Sequence, residues 1–277
     1  MTKLKVFNDE AAKARVAAGL DRFRAALTIE TESRVVDTRC GDAHVLVAGP
    51  VDGPPLVLLH GALASSAHVL GELERLARDH RVYAVDVVGQ SVKSADHRPA
   101  VDNDDYGHWL GDVVAALGLD RFFLVGISWG GFVAVRFTKL QPDRVRKLVL
   151  LVPAGFVASP HWRGFTRIAL PLLLYRLSPT PRRLERFLAH MITTKTDDWG
   201  PYLGDAVRSY RMDMRIPALV RADELAAFVA PVLVIAADDD VSFPGAALLD
   251  RVKDVFAGPV ETELLEDQDL IEEPARY

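Results

Sequence analysis

The eight residues LVGISWGG, Leu124 to Gly131, decide how this sequence is read. The run RFFLVGIS that contains their first part, residues 121–128, is almost continuously apolar, the mark of a strand buried on both faces. From Trp129 to about Gln141 the spacing turns helical, and Pro142 stops it. Between the two lies Gly126-Ile127-Ser128-Trp129-Gly130, a G-x-S-x-G pentapeptide. Such a pentapeptide is common by chance, but one with a strand before it and a helix after it is specific. The reason is steric. The serine sits on a sharp, strained turn, and the glycines occupy places where a β-carbon would collide with neighbouring backbone. The turn lifts the Ser128 hydroxyl above the sheet edge, over a helix N-terminus that favours developing negative charge. Ser128 is the candidate nucleophile.

Outward from this point the chain alternates. PPLVLLHG (54–61), RVYAVDVVG (81–89) and VRKLVLLVPAG (145–155) read as buried strands, with helices expected over 66–79 and 105–118. Before them come an amphipathic helix over 8–27 and a hairpin, SRVVDTRCGDAHVLVAGP, around Cys40-Gly41-Asp42. Alternating strands and helices imply right-handed βαβ units and a mostly parallel sheet. From 157 to 228 the rhythm breaks into an Arg-, Leu- and aromatic-rich stretch punctuated by Pro171, Pro179, Pro181, Pro201 and Pro217, expected to be a helical insertion. APVLVIAADDD (230–240) resumes the sheet, 246–257 is helical, and VETELLED (260–267) is a last strand. The expected division is a core over 1–156 and 229–277 with an insertion over 157–228.

Composition narrows the function. The 277 residues suit one large α/β domain or a core carrying an insertion. A formal net charge of −5 gives no electrostatic reason to bind nucleic acid or an anionic membrane. The single cysteine, Cys40, excludes an internal disulfide and a multi-cysteine metal site. The N-terminus lacks the uninterrupted apolar core of a signal peptide, and IALPLLLYRL (168–177) is too short to span a bilayer. A cytoplasmic protein is expected.

Acyl chemistry at Ser128 needs donors for the oxyanion of a tetrahedral intermediate. Trp129 follows the serine and offers one backbone N–H. The loop HGALASS offers another, with Ala62 after His60-Gly61 as the donor and Leu63 as its neighbour, unless His60-Gly61 is only a tight turn.

With these motifs in place the chain resembles the α/β-hydrolase superfamily, in its cap-bearing carboxylesterase-like group. PPLVLLHGALASS, RVYAVDVVGQSVKS, VGISWGGFVAVRFTKLQPDRVRKLVLLVPAG and APVLVIAADDDVSFPGA match that family in order and with similar spacing, and GDAHVLVAGP looks like its N-terminal part. The resemblance implies an α/β fold with a mostly parallel eight-stranded sheet flanked by helices, a helical cap, a Ser, Asp, His triad in that order, and no cofactor. A serine at the turn argues against the dehalogenase and epoxide-hydrolase relatives, which carry aspartate there. The resemblance also places the triad acid at Asp240, with Pro244 four residues on, while Asp238 stands at the family's Glu and Ala237 replaces its Gly. Asp238-Asp239-Asp240 also suggests a metal site, but no histidine or second acidic cluster stands at a diagnostic spacing, so no metal is expected.

The same resemblance puts the triad histidine after the last strand. The segment there is LLEDQDLIEEPARY, where Glu272-Glu273-Pro274 looks like the end of the family motif and the histidine slot falls between Asp267 and Leu270. No histidine is present, and Gln268 is the substituted position. Glutamine cannot take a proton from Ser128 near neutral pH. Asp267 or Asp269 could, but an unperturbed carboxylate with a pKa of ~4 is poorly matched to the task. His44, His60, His68, His80, His97, His108, His161 and His190 are each expected to be structural or surface residues. The chain ends four residues after Glu273, where the family carries a closing helix. This unusually short C-terminus and the lost histidine have one explanation if the ending is truncated, frame-shifted or degenerate. The sheet face under the absent helix is then expected to be exposed or covered by a partner, making a homodimer possible.

Phe156, Trp162, Phe165, Leu170, Leu172, Leu173, Leu174 and Tyr175 are expected mostly to pack the cap onto the core, with some lining a pocket. Arg163, Arg167, Arg176, Arg182, Arg183 and Arg186 form a solvated face or draw acidic substrates. Two readings remain open: a serine hydrolase acting on a small ester-like substrate with its base missing, and a non-catalytic protein holding a small apolar ligand under the cap. No membrane or nucleic-acid partner is expected.

Overall fold

The computed structural model describes residues 5–158, 161–189, 199–211, 213, 215–238 and 240–265. Eight strands form one sheet: β1 (Thr31–Val36), β2 (Ala43–Ala48), β3 (Pro55–Leu59), β4 (Arg81–Val85), β5 (Phe122–Ile127), β6 (Val145–Leu151), β7 (Val232–Ala237) and β8 (Val260–Leu265). Their order is β1-β2-β4-β3-β5-β6-β7-β8. β1 pairs antiparallel with β2, and β2 with β4; every later pairing is parallel. The mostly parallel sheet is the one expected from the alternating pattern, and its eight strands are the number the resemblance implies. β2, β3 and β4 consist almost wholly of buried residues because helices cover both faces at the centre of the sheet.

On one face lie α4 (Asp105–Ala116), α5 (Trp129–Leu140) and α10 (Gly245–Val255). They bury Trp109, Phe132, Phe137 and Leu248 against Val57, Leu124, Leu150 and Val234. On the other face lie α2 (Ser66–Glu72) and α3 (Leu76–Asp79), the expected 66–79 helix broken in two. On this second face Phe123, Val149 and Leu233 are only partly buried, while Ile235 and Leu265 beside them are buried.

α1 (Glu10–Ala25) starts where the Asp9 carboxylate accepts the Ala12 N–H at 2.7 Å, an N-cap. It belongs in space with the segment between β6 and β7. That segment carries α6 (His161–Gly164), a π turn (Phe165–Ala169), α7 (Leu170–Leu177), α8 (Pro181–Leu188) and α9 (Trp199–Ser209). Val6, Phe7, Val16 and Leu20 share a core with Tyr175, Phe187, Tyr202 and Val207. A backbone bridge from Phe7 to Tyr210 closes it. The described residues of 210–228 contain no helix.

The aromatic and leucine residues of this segment divide differently from the sequence expectation. Phe156 and Tyr175 are buried, but Trp162, Phe165, Leu170 and Leu173 are exposed, Trp162 at 75%. For Leu170 and Leu173 the physical reason is that α7 buries Pro171 and Tyr175 against α8 and α9, while its apolar residues run most of the way round. Two of the arginines are not simply solvated. Arg176 donates to the Val207 and Tyr210 carbonyls at 2.6 and 3.0 Å, and Arg183 to those of Leu174 and Ser178 at 3.2 and 3.1 Å. Each satisfies carbonyl groups at a helix end. Among the described residues no helix is long and apolar enough to cross a membrane.

Candidate active site

Ser128 follows β5 and caps α5 with φ +50° and ψ −111°. A non-glycine residue at positive φ is strained, and surrounding bonds must hold it there. Its N–H donates to the Leu151 carbonyl at 2.9 Å, and its carbonyl accepts the Gly131 and Ala154 N–H groups, both at 3.0 Å. The flanking glycines are sterically required. A β-carbon on Gly130 would lie 2.4 Å from the Leu59 carbonyl oxygen, and one on Gly126 would lie 2.6 Å from that of Gly130. β3, β5 and the head of α5 therefore touch backbone to backbone, and the serine is forced out over them.

The loop after β3 lies against this turn. A β-carbon on Gly61 would sit 3.3 Å from Ser128 Cβ and 3.9 Å from its Oγ. Leu63, two residues on, is at φ +61°, and its carbonyl accepts the Tyr202 hydroxyl at 2.7 Å. The loop's two ends are pinned from the end of β4. His60 is fully buried; its Nδ1–H donates to the Gly61 carbonyl at 2.7 Å and its Nε2 accepts the Val87 N–H at 2.9 Å. Burial pushes the His60 pKa down and keeps the ring neutral. At the other end the Asp86 carboxylate takes the Ser66 N–H at 3.1 Å and the Ser66 hydroxyl at 2.6 Å, which fixes the start of α2.

Asp86 is fully buried yet ionised. Burial alone would raise its pKa, but hydrogen bonds from His44 and Ser66 and the neighbouring imidazoles outweigh it and bring it to about 2. Ser91 adds a bond of 2.6 Å. His68, in the first turn of α2, is boxed by Phe23, Trp199 and Tyr202 at ring separations of 4.0, 4.4 and 4.5 Å. Ser65 Oγ lies 2.8 Å from its Nδ1, and burial holds its pKa at about 3. These three histidines are therefore committed away from Ser128. Sequence reasoning gave His60 and His68 structural roles, and the structure agrees. It missed Asp86 as the hub because only the tertiary fold brings residues 44 and 66 to it.

Of the other sequence-derived positions, Trp129 follows Ser128 as the first residue of α5, and Ala62 follows Gly61, the residue that packs against Ser128. Asp240 lies three residues past β7, which is separated from β5 by β6, so it stands at the same carboxyl edge of the sheet as Ser128. Its Oδ1 accepts the Ser242 and Phe243 N–H groups at 2.6 and 2.8 Å. Gln268 and the rest of the expected histidine slot lie outside the described residues.

Comparison with known proteins agrees with this geometry. Residues 54–193 match the family model described as alpha/beta hydrolase fold. An uncharacterized carboxylesterase of Bacillus subtilis (strain 168) is 29% identical over 249 residues, covering 86% of this chain and 80% of the relative. Carboxylesterase YbfK of the same strain is 38% identical over 133 residues, 48% of this chain and 45% of the relative. The crystal structure of naproxen esterase from Bacillus subtilis superposes with a TM-score of 0.80 at 25% identity, over 95% of this chain and 93% of that one. With the sheet order, the strained serine and these matches together, the chain belongs to the α/β-hydrolase fold family and is carboxylesterase-like within it.

Proposed function

We propose that this chain is a carboxylic ester hydrolase acting on a small ester through an acyl-enzyme on Ser128. The observation that carries the reading is the Ser128 turn, held at φ +50° over the head of α5 with Gly61 against it. In this reading Ser128 Oγ adds to the acyl carbon, the alkoxide leaves, and water releases the acid. The Trp129 and Ala62 N–H groups stabilise the oxyanion. Asp240 orients the base, and its two backbone hydrogen bonds support that task by fixing its carboxylate. The helices between β6 and β7 serve as the cap over the acyl or alcohol group. The likeness to carboxylesterases supports ester over other acyl substrates.

The base is the weak member, since Gln268 occupies its slot and His44, His60 and His68 are hydrogen-bonded elsewhere. That observation favours a second reading, a hydrolase scaffold that binds a small apolar ligand without turning it over. The test uses a fluorophosphonate probe and p-nitrophenyl acetate on the parent, Ser128→Ala and Gln268→His proteins, with the labelled peptide identified. Labelling of the Ser128 peptide, lost in Ser128→Ala, is expected. No labelling at Ser128 in either the parent or Gln268→His would overturn the enzyme reading and leave the binding one.

A further inference from the structure

The structure holds a second serine in contact with a histidine and an aspartate. Ser33 lies on β1 at the outer edge of the sheet, four strand positions from β5, or roughly 19 Å at the usual strand spacing. Ser33 Oγ is 2.6 Å from His44 Nε2, and His44 Nδ1 is 2.6 Å from Asp86 Oδ2. We propose that Ser33, His44 and Asp86 form a serine–histidine–aspartate relay that captures the acyl group of small activated esters, such as aryl esters, independently of Ser128.

The register explains why the three meet. On the β1–β2 ladder Ser33 is opposite Leu46, so its side chain emerges on the same face as His44, two residues along. On the next ladder Val45 is opposite Val85, and the Asp86 N–H donates to the His44 carbonyl at 2.9 Å, which sets the carboxylate beside the ring. The Ser94 hydroxyl adds a bridge: it accepts the His44 N–H at 3.1 Å and donates to the Asp86 carbonyl at 2.6 Å.

The proton positions follow. An ionised carboxylate only accepts, so His44 carries its proton on Nδ1 and offers Nε2 as an acceptor, and Ser33 donates to it. This is the arrangement that activates a serine: an oriented base within hydrogen-bond reach of the hydroxyl. Asp86 here is a positioning residue, while Ser33 and His44 are the groups that touch the acyl donor. Ser33 is exposed, whereas His44 and Asp86 are buried, so the hydroxyl is open to a small molecule and the relay behind it is shielded from water.

The step balances without a further reactant. Ser33 Oγ bonds to the acyl carbon, its proton passes to His44 Nε2, the bond to the aryl oxide breaks, and the aryl oxide takes the proton from His44. Later a water molecule, deprotonated by His44 Nε2, adds to the acyl carbon, the bond to Ser33 Oγ breaks as that oxygen takes the proton back from His44, and the acid leaves. Ser33 lies far from the Ala62 and Trp129 donors proposed for Ser128, so stoichiometric capture with slow turnover is expected.

The test is made in the Ser128→Ala background, so it stands or falls apart from the reading of Ser128. The protein is treated with p-nitrophenyl acetate, release of p-nitrophenol is followed, and acetyl groups are mapped by peptide mass spectrometry. One acetyl group per chain on Ser33 is expected, well ahead of Ser178, an exposed serine on the same molecule that serves as an internal reference. Ser33→Ala removes this burst, and His44→Gln slows acetylation of Ser33 roughly 10²-fold. Acetylation of Ser33 no faster than of Ser178, or a burst that survives in Ser33→Ala, overturns the proposal and leaves the contact as a staple of the hairpin.

Discussion

Ser128 stands at the middle of the sheet on a turn held at φ +50°, whereas Ser33 lies on the outermost strand in regular β-structure. The first has what its neighbours' backbone can supply: a strained exit from β5, a helix N-terminus beneath it and the Gly61 loop against it. The second has what side chains supply: an imidazole at 2.6 Å and a buried carboxylate behind it. The difference teaches that the two halves of an activated serine are specified separately. Preorganised donors come from where the backbone turns, and the base comes from which side chains the sheet order brings together. Asp86 serves both regions, since it anchors Ser66 at the start of α2 and His44 on β2.

The sharpest way to break the comparison is to give Ser128 what Ser33 has. Gln268→His is expected to raise Ser128-dependent hydrolysis of p-nitrophenyl acetate by roughly 10²–10⁴-fold, read from initial rates against the same change in Ser128→Ala. Asp86→Ala should damage both regions at once, because it leaves the Ser66, Ser91 and His44 donors buried without an acceptor. A loss of about 3 kcal/mol in urea unfolding is expected, and Asp86→Asn should recover part of it.

Acid separates the regions by degree. A folded-state His68 pKa of about 3, below the usual 6.5, means the unfolded chain binds the extra proton between those values. The stability gained from a neutral buried His68 is complete above pH 6.5 and is lost as pH falls toward 3. Asp86 at about 2 adds its own loss only below about pH 4. Unfolding measured at pH 4–6 should therefore lose up to about 1.4 kcal/mol per pH unit through His68, a slope that His68→Phe flattens.

Smaller changes sharpen the picture. Gly61→Ala puts a methyl group 3.3 Å from Ser128 Cβ, and phosphonylation of Ser128 should slow about 10-fold with little loss of stability. Acetylation of Ser33 should not change, since its β1–β2 setting is untouched. Tyr202→Phe removes the bond to the Leu63 carbonyl. It should cost about 1 kcal/mol by thermal unfolding, with hydrogen exchange rising in the 61–66 loop alone.

Much of the architecture was legible in the sequence because buried parallel strands are continuous apolar runs and their helices carry periodic faces. PPLVLLHG, RVYAVDVVG and RFFLVGIS each became a strand within a few residues of the expected bounds. The Ser128 turn was legible for a local reason, since its glycines are needed by contacts with the backbone immediately around them. The packing of the helices after β6 was not, because composition tells which residues are apolar but not which side of a helix finds a partner. Trp162 and Phe165, expected with their neighbours mostly to pack the cap onto the core, are exposed.

The sequence by itself determined the alternation of elements, the sheet they build and the strained serine, all set by short-range spacing and sterics. Only the tertiary structure decided that α1 joins the helices after β6, that Asp86 pins the loop beside Ser128, and that Ser33, His44 and Asp86 form one chain of hydrogen bonds. Those contacts join residues 11 to about 190 positions apart. The contact of His44 with Asp86 exists because β2 enters the sheet antiparallel beside β4, a placement fixed by packing of whole elements and not by any local run of residues.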